Sequence, residues 1–491
     1  MSAIDDKLPS GWRWESLAEV AADGAPILYG ILQPGPDMPG GVPYVRPTEI
    51  VEDVIDLSSI RRTTPAIAGK YKRSVLKPDD VILSIVGTIG KVAVVPPDLD
   101  GGNITQSSVR VRPRSEVVSP RYVAWVLRSP VLRRQFDKHR LGTAVPRLNV
   151  AHVRALRVPV PPLPEQRRIV AEIEKQFTRL EAGVAALRRV QANLKRYRAA
   201  VLKAACEGRL VPTEAELVGR VPPRGGRVKA KGNAASGDAA YNNAPFETGA
   251  ELLARILTER RQNWLGRGKY KEPAAPETVK LPELPTGWTW ATVEQLAAPE
   301  PNSITDGPFG SNLKTEHYMD SGPRVIRLQN IGDGVYVDEE AHIAQAHFER
   351  LQKHRIFAGD LVIAGFGENP PRSCIIPETL GPAIVKADCI RFKPHGSVLP
   401  KYMNVALNSD PVRKRTKGMV HGVGRPRLNL GEIKSIALPL PPPAEQTRIV
   451  AEVERRLSVV EELESVVTAN LQRATRLRQS ILQKAFTGEL V

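Results

Sequence analysis

The chain is written twice. Residues 8–21, LPSGWRWESLAEVA, return at 284–297 as LPTGWTWATVEQLA. Residues 146–177, PRLNVAHVRALRVPVPPLPEQRRIVAEIEKQF, return at 426–457 as PRLNLGEIKSIALPLPPPAEQTRIVAEVERRL. One copy closes on EGRLV at Val211 and the other on TGELV at Val491, and across these later stretches the offset stays at 280 residues, as from Gly208 to Gly488. So long a match in one register means duplication, and the two copies must share one fold. At 491 residues the chain is also too long for a single core.

Each copy has the same order. A Leu-Pro-x-Gly-Trp-x-Trp start precedes short β-type runs broken by Gly and Pro, such as PDDVILSIVGTIGKVAVVP and GDLVIAGFGENPPRSCIIP. A proline-rich hinge follows, then a long helical pattern. In the first copy Ile169, Ile173, Phe177, Leu180, Val184, Leu187, Leu194 and Val201 recur mostly three or four residues apart. Ile449, Val453, Leu457, Val460, Val467, Leu471, Ala474 and Ile481 repeat this in the second. Spacing of that kind over several heptads predicts a coiled-coil seam. A helix of roughly 40 residues, ~60 Å long, overhangs a domain of ordinary size, and the other copy supplies the partner. The alternative is an amphipathic helix folded on its own lobe. Head-to-tail pairing would hold the lobes apart with pseudo-twofold symmetry, so antiparallel helices are expected.

The predicted fold is α+β, with two strand-rich domains in tandem and two long antiparallel helices between them. The first domain is expected over 1–160 and the first long helix over 161–211. A linker over 212–280 carries a short amphipathic helix near 247–264. The second domain is expected over 281–440 and the second long helix over 441–491. The stretch VPPRGGRVKAKGNAASGDAAYNNAP within the linker reads as mobile chain.

Charge narrows the function. Seventy Lys and Arg against 53 Asp and Glu leave +17, which favours a polyanionic partner. The charge gathers just before each hinge. Residues 129–149 carry Arg133, Arg134, Lys138, Arg140 and Arg147, and residues 409–429 carry Arg413, Lys414, Arg415, Lys417, Arg425 and Arg427. Gly-rich turns such as LGTAVPR and HGVGRPR let backbone and guanidinium approach a phosphate. An ordinary solvated helix end would look similar in one copy; recurrence at the same place in both favours phosphate contact. Such contacts position a protein without reading sequence, so reading falls to polar side chains on the variable loops.

No catalytic constellation emerges. Asn369, Pro370 and Pro371 match the start of an amino-methyltransferase signature, but Arg372 stands where the stacking aromatic belongs. Pro78 and Asp79 lead to Lys91 as in a metal-dependent nuclease, but Ile89 occupies the acidic position. No phosphate-binding G-x-x-x-x-G-K-[ST] loop or H-E-x-x-H motif is present. Cys206, Cys374 and Cys389 are too scattered for a disulfide framework or a zinc site. The N-terminus lacks the apolar core of a signal peptide and no run is long enough for a membrane span, so a cytoplasmic location and no membrane association are expected.

Taken together, these residues resemble the specificity subunits of type I restriction–modification systems. The carriers are the hinges VPVPPLPEQRRIV and LPLPPPAEQTRIV, the helices ending in Gly-x-Leu-Val, the LPxGWxW starts, DGPFGSNLKTEHY at 306–318 and RLQNIGDG at 327–334. Ala444 opposite Pro164 is a small departure, and the first copy has DGAPILYGILQPG in place of the DGPFGS run. The resemblance implies that each domain reads one half of an asymmetric bipartite sequence in double-stranded DNA, with the helices fixing the gap. It implies docking of modification subunits, usually two, which use S-adenosylmethionine. Restriction subunits would bring ATP and Mg. The chain itself would be non-catalytic, with no cofactor and no metal. Expected DNA contacts are Tyr29, Thr88, Lys91 and Gln106 in the first domain and Ser311, Asn312, Lys314 and Gln329 in the second. To these are added Arg133, Arg134, Arg140 and Arg147, and Arg413, Arg415, Arg425 and Arg427. Glu165, Gln166, Glu445 and Gln446 at the helix entries are expected to dock subunits. The rival readings are a coiled-coil bridge indifferent to sequence and a self-sufficient methyltransferase.

Overall fold

A computed structural model describes residues 8–142, 145–219, 246–266, 268–367, 369–422 and 426–491. The chain divides into two compact units, one of residues 1–190 with 466–491 and the other of residues 191–465. The division cuts both long helices. The stretch read as mobile linker lies outside the described residues, while a helix spans Gly249–Gln262. Its Thr248 and Glu251 exchange capping bonds, which satisfies the first-turn N–H groups.

In the first unit the strand Arg13–Ser16 pairs antiparallel with Arg157–Val160, so the start of the lobe is sewn to its end. A four-stranded antiparallel sheet follows the order Leu28–Tyr29, Ser108–Val111, Val81–Ser84, Val92–Val94. All four residues of Val81–Ser84 are buried, as expected of a central strand that reads as an unbroken apolar run. A second sheet runs Arg61–Thr63, Val42–Val45, Asn103–Ile104, its last pair parallel. Pro120–Arg128 and Pro130–His139 are helices, each begun by a capping serine, Ser119 or Ser129, with proline in its first turn.

The second unit repeats this plan. Thr289–Thr292 pairs with Ala437–Leu440, and a four-stranded sheet runs Ile304–Thr305, Cys389–Phe392, Leu361–Ala364, Arg372–Ile375. Its second sheet also contains a parallel pair, Tyr318–Ile326 with Ala383–Val385. Buried aspartates occupy matching places, and each holds an arginine at 2.7 Å: Asp80 with Arg112 in the first unit and Asp360 with Arg391 in the second.

The long helices span Leu163–Cys206 and Pro443–Thr487, 44 and 45 residues. In the first unit Ile169, Ile173 and Phe177 share a core with Ile481, Leu482, Ala485 and Phe486. In the second, Val201, Ala205 and Cys206 share one with Ile449, Val450 and Val453. The beginning of one helix therefore packs beside the end of the other in each unit, which is antiparallel pairing. Each helix end is also built into a lobe's core, so the two readings of the helical seam are both realised, at different positions along it.

The repeated tails explain where the helices stop. Gly208 and Gly488 take φ of 65° and 80°, a left-handed cap that lets Arg209 N–H reach the Ala204 carbonyl and Glu489 N–H reach the Lys484 carbonyl, both at 2.9 Å. A Cβ on Gly208 would lie 2.4 Å from Pro285, and one on Gly488 2.1 Å from Pro9. Each tail thus seats on the Leu-Pro-x-Gly-Trp start of the other copy.

Candidate nucleic-acid interface

One end of the first unit's four-stranded sheet gathers three loops. Because neighbouring strands run antiparallel, the ends of Leu28–Tyr29 and Val81–Ser84 lie beside the start of Ser108–Val111. Tyr29 stands 46% exposed there. Gln106 N–H donates to the Ile31 carbonyl at 2.9 Å, leaving its side chain exposed. Ile85 and Val86 both donate to the Ser107 carbonyl, at 2.8 and 3.3 Å. Val86 then bridges to Arg147, and Gly87 N–H donates to the Pro146 carbonyl at 2.8 Å. Arg147 itself closes a hairpin with Leu141 through reciprocal bonds of 2.9 Å. The backbone beneath Arg147 is fixed and its guanidinium faces solvent. Exposed Thr88 continues the same turn.

The second unit builds that edge again. Phe366 bridges to Arg427, Gly367 N–H donates to Pro426 at 3.3 Å, and His421 and Arg427 exchange bonds of 3.0 Å. Here the guanidinium has company. Its Nε lies 2.7 Å from Asp388 Oδ1, and it sits 5.5 Å over the ring of Phe309, an exposed aromatic in the DGPFGS loop. Phe309 and Asp388 were not singled out in the sequence. The signal available was an aromatic residue between Pro and Gly in a segment already marked as shared.

The remaining expected contacts scatter. Arg133 and Arg140 are exposed and line a shallow cleft with Gly87, Ile89 and Pro146, beside the first edge. Arg133 is tethered by a 3.1 Å bond to the Ile89 carbonyl. Arg134 faces Gln483 on the long helix instead, at 3.4 Å. Asn312, Lys314 and Gln329 are exposed on segments flanking the second sheet. Lys314 is 3.6 Å from Glu316, and the Gln329 amide, with its oxygen turned to Arg327, accepts from that guanidinium. Ser311 lies in a short 3-10 turn whose side-chain placement is not described, and Arg425 lies outside the described residues.

Several expectations are corrected. Lys91 is no DNA contact: its ammonium donates to the Pro47 and Ile50 carbonyls, both at 2.8 Å. Arg413 is bound to the Pro371 carbonyl, Asp333 and Asn408 at 3.0, 2.6 and 3.0 Å. Arg415 stacks 4.7 Å over Trp290 and donates to the Ala437 carbonyl; burial lowers its pKa, which is the mark of an internal strut. A cation so engaged cannot leave its partners for a phosphate without stranding them.

The Glu-Gln pairs, expected to dock subunits, make their bonds within their own units, with Gln166, Glu445 and Gln446 buried and Glu165 half-buried. Gln166 is fully buried, accepts from Ser119 N–H at 2.9 Å and donates to the Val117 and Pro161 carbonyls at 2.8 and 2.9 Å. Gln446 accepts from Leu399 N–H and donates to the Pro441 carbonyl, both at 3.0 Å. Glu165 and Glu445 receive the indole N–H of Trp12 and Trp288. These side chains fasten each helix to its lobe. The Asn369 decoy resolves similarly, since the Pro370 and Pro371 carbonyls serve Thr416 and Arg413.

A family model described as the type I restriction modification DNA specificity domain matches residues 31–186, which include Thr88, Gln106 and Arg147 of the first edge but not Tyr29. The EcoDI type I restriction enzyme specificity subunit of Escherichia coli is 24% identical over 379 residues, 76% of this chain and 71% of that one. Over most of its length the chain is thus similar to the specificity subunits of type I restriction–modification systems. The EcoBI specificity subunit of Escherichia coli is 29% identical over 170 residues; that match spans 35% of this chain and about a third of EcoBI, 36%. A chain solved in work on complex assembly and conformational transition of the type I R-M system aligns with TM-score 0.62 at 20% identity, covering 98% of this chain and 99% of that one. The two chains therefore share a fold. Among the described residues no helix is long and apolar enough to cross a membrane.

Proposed function

We propose that this chain is the specificity subunit of a type I restriction–modification system, reading a two-part sequence in double-stranded DNA, one half with each lobe, and carrying no active site of its own. The observation that supports this most is the basic edge built twice, with Val86 and Arg147 in one lobe and Phe366 and Arg427 in the other held by the same backbone bonds. An edge with rigid backbone and an exposed guanidinium suits a DNA surface, and polar neighbours that differ between copies suit two different half-sites. Tyr29, Thr88, Gln106, Arg133, Arg140 and Arg147 serve the first half-site, with Arg427 and Phe309 at the second. The continuous helices, each contributing residues to both units, set the gap between the halves.

Chemistry falls to partners: two modification subunits acting on adenine with S-adenosylmethionine, and restriction subunits using ATP and Mg, all in the cytoplasm. With Glu165, Gln166, Glu445 and Gln446 engaged inside their own units, those subunits dock on the exposed faces of the long helices. Mapping methylation in DNA from cells carrying this chain with its modification subunit tests the reading. One gapped motif is expected, and exchanging residues 1 to about 145 should change only one half of it, as reading by separate lobes requires. Footprints indifferent to sequence would sink the proposal, as would label transfer from S-adenosylmethionine by the chain alone.

A further inference from the structure

Arg147 and Arg427 occupy matching hairpins, yet their surroundings differ in charge. In the second unit residues 386–389 form a turn closed by Cys389 N–H on the Lys386 carbonyl at 3.0 Å. Asp388 holds a left-handed φ of 66° in it, a conformation Asp tolerates better than most residues. Its N–H donates to Asp306 Oδ1 at 3.1 Å, and its carbonyl accepts from Gly365 at 3.0 Å. Asp306 Oδ1 also accepts from Gly307 N–H at 2.7 Å. A Cβ on Gly307 would lie 2.0 Å from the Lys386 carbonyl carbon, so only glycine lets the DGPFGS loop press this closely on the turn. The Asp388 backbone is therefore held from two sides, and its carboxylate grips Arg427 Nε at 2.7 Å while Phe309 backs the guanidinium.

The first unit lacks that carboxylate. Its turn, closed by Ser108 N–H on the Thr105 carbonyl at 3.2 Å, has Ser107 at the equivalent place, accepting from Ile85 as Asp388 accepts from Gly365. No ion pair to Arg147 forms among the described residues.

A carboxylate beside an arginine makes it a poor phosphate ligand, because the phosphate must approach a second anion. A base edge carries no net charge and meets no such repulsion. Guanine offers two acceptors, O6 and N7, to a guanidinium held in one plane, and prior fixation lowers the ordering cost of that bidentate contact. Resting on the DNA-reading role above, the geometry points to Arg427 as a base-reading residue for a guanine in the second half-site, oriented by Asp388 and Phe309. Arg147, without the acid, holds a phosphate.

The test is methylation mapping of the complete modification complex carrying Arg427→Lys, Asp388→Asn or Arg147→Lys. The native complex should show a fixed G·C pair in the second half of its motif. Arg427→Lys keeps the charge but loses the fork, so discrimination at that pair should fall roughly 5- to 100-fold with the first half unchanged. Asp388→Asn frees the arginine and should relax the same pair, whereas Arg147→Lys should leave the whole motif intact. An unchanged motif with uniformly weaker methylation in Arg427→Lys would overturn the assignment. A native second half without any G·C pair would overturn it too. If Arg427→Lys gives no methylation at all, Asp388→Asn decides, and an unaltered motif there refutes the proposal. A native complex with no motif would instead mean that the DNA-reading role itself has failed.

Discussion

The indole N–H of Trp12 donates to the carboxylate of Glu165 at 3.0 Å, joining the first turn of a lobe to the first turn of the helix that leaves it. Trp288 and Glu445 make the same bond at 3.0 Å in the other copy. The start motif and the hinge, more than 150 residues apart in the chain, recur together because each completes the other. Glu445 also accepts from Glu214 N–H at 3.2 Å and is fully buried. Replacing it by Ala strands two donors, so Glu445→Ala should lower the stability of the second unit by about 1–3 kcal/mol, while Glu445→Gln, which keeps an acceptor, should cost much less. Urea unfolding followed by tryptophan fluorescence measures the difference. Equal losses in both variants would show that the bond contributes nothing.

Arg147 and Lys91 should separate binding from stability. Arg147→Ala should weaken DNA binding by the complex equally across sequences and reduce the slope of log affinity against log salt by about 1. Lys91→Met should leave that slope untouched but lower stability by about 1–3 kcal/mol, because the Pro47 and Ile50 carbonyls lose their donor. Anisotropy titrations over a salt series, with melting curves beside them, check both outcomes.

Asp306 predicts a pH dependence. Burial is the main cause that pushes its pKa up to about 6; Asp388 pushes the same way, while bonds from the Gly307 and Asp388 N–H groups and the nearby Arg427 oppose it. The native state then holds this proton more tightly than the unfolded chain, so its contribution is fully present below the ordinary carboxylate range. It is lost as pH rises through about 6. Asp306→Asn should flatten that decline. Denaturant midpoints of both proteins between about pH 4 and about pH 7 should diverge as pH falls, the native chain gaining relative to the variant. Parallel curves would rule this out.

A difference between the copies gives a fourth expectation. In the first unit Trp125 meets Phe177 edge-on at 5.1 Å, with Arg128 and Arg478 stacked on them at 4.7 and 4.5 Å. The matching positions in the second unit are Val405, Leu457, Asn408 and Arg198, and these line a cavity of about 400 Å³. The matching cleft of the first unit, lined by Trp125, Arg128 and Arg478, is about 230 Å³, so the larger side chains narrow the space there. Val405→Trp combined with Leu457→Phe should raise the stability of the second unit by about 1–2 kcal/mol and leave the methylated motif unchanged. Thermal melting reads the first effect and methylation mapping the second.

The duplication, the two long helices with their antiparallel pairing, and the strand-rich character of the lobes were all legible in one sequence. Periodicity and repetition are local signals that survive without a structure. Which end of each sheet collects Arg147 and Arg427 was half legible, since the basic hairpins recur in register. What each cation does there was not. Lys91, Arg413 and Arg415 look in the sequence like Arg147, yet they cap carbonyls or stack on an indole inside a lobe. Gln166 and Gln446 look like surface residues at a helix start, yet they are buried. Strand order, burial and the pairing of Asp388 with Arg427 depend on residues brought together from separate parts of the chain. A side chain's partners are decided by packing, and packing has no period that one sequence can display.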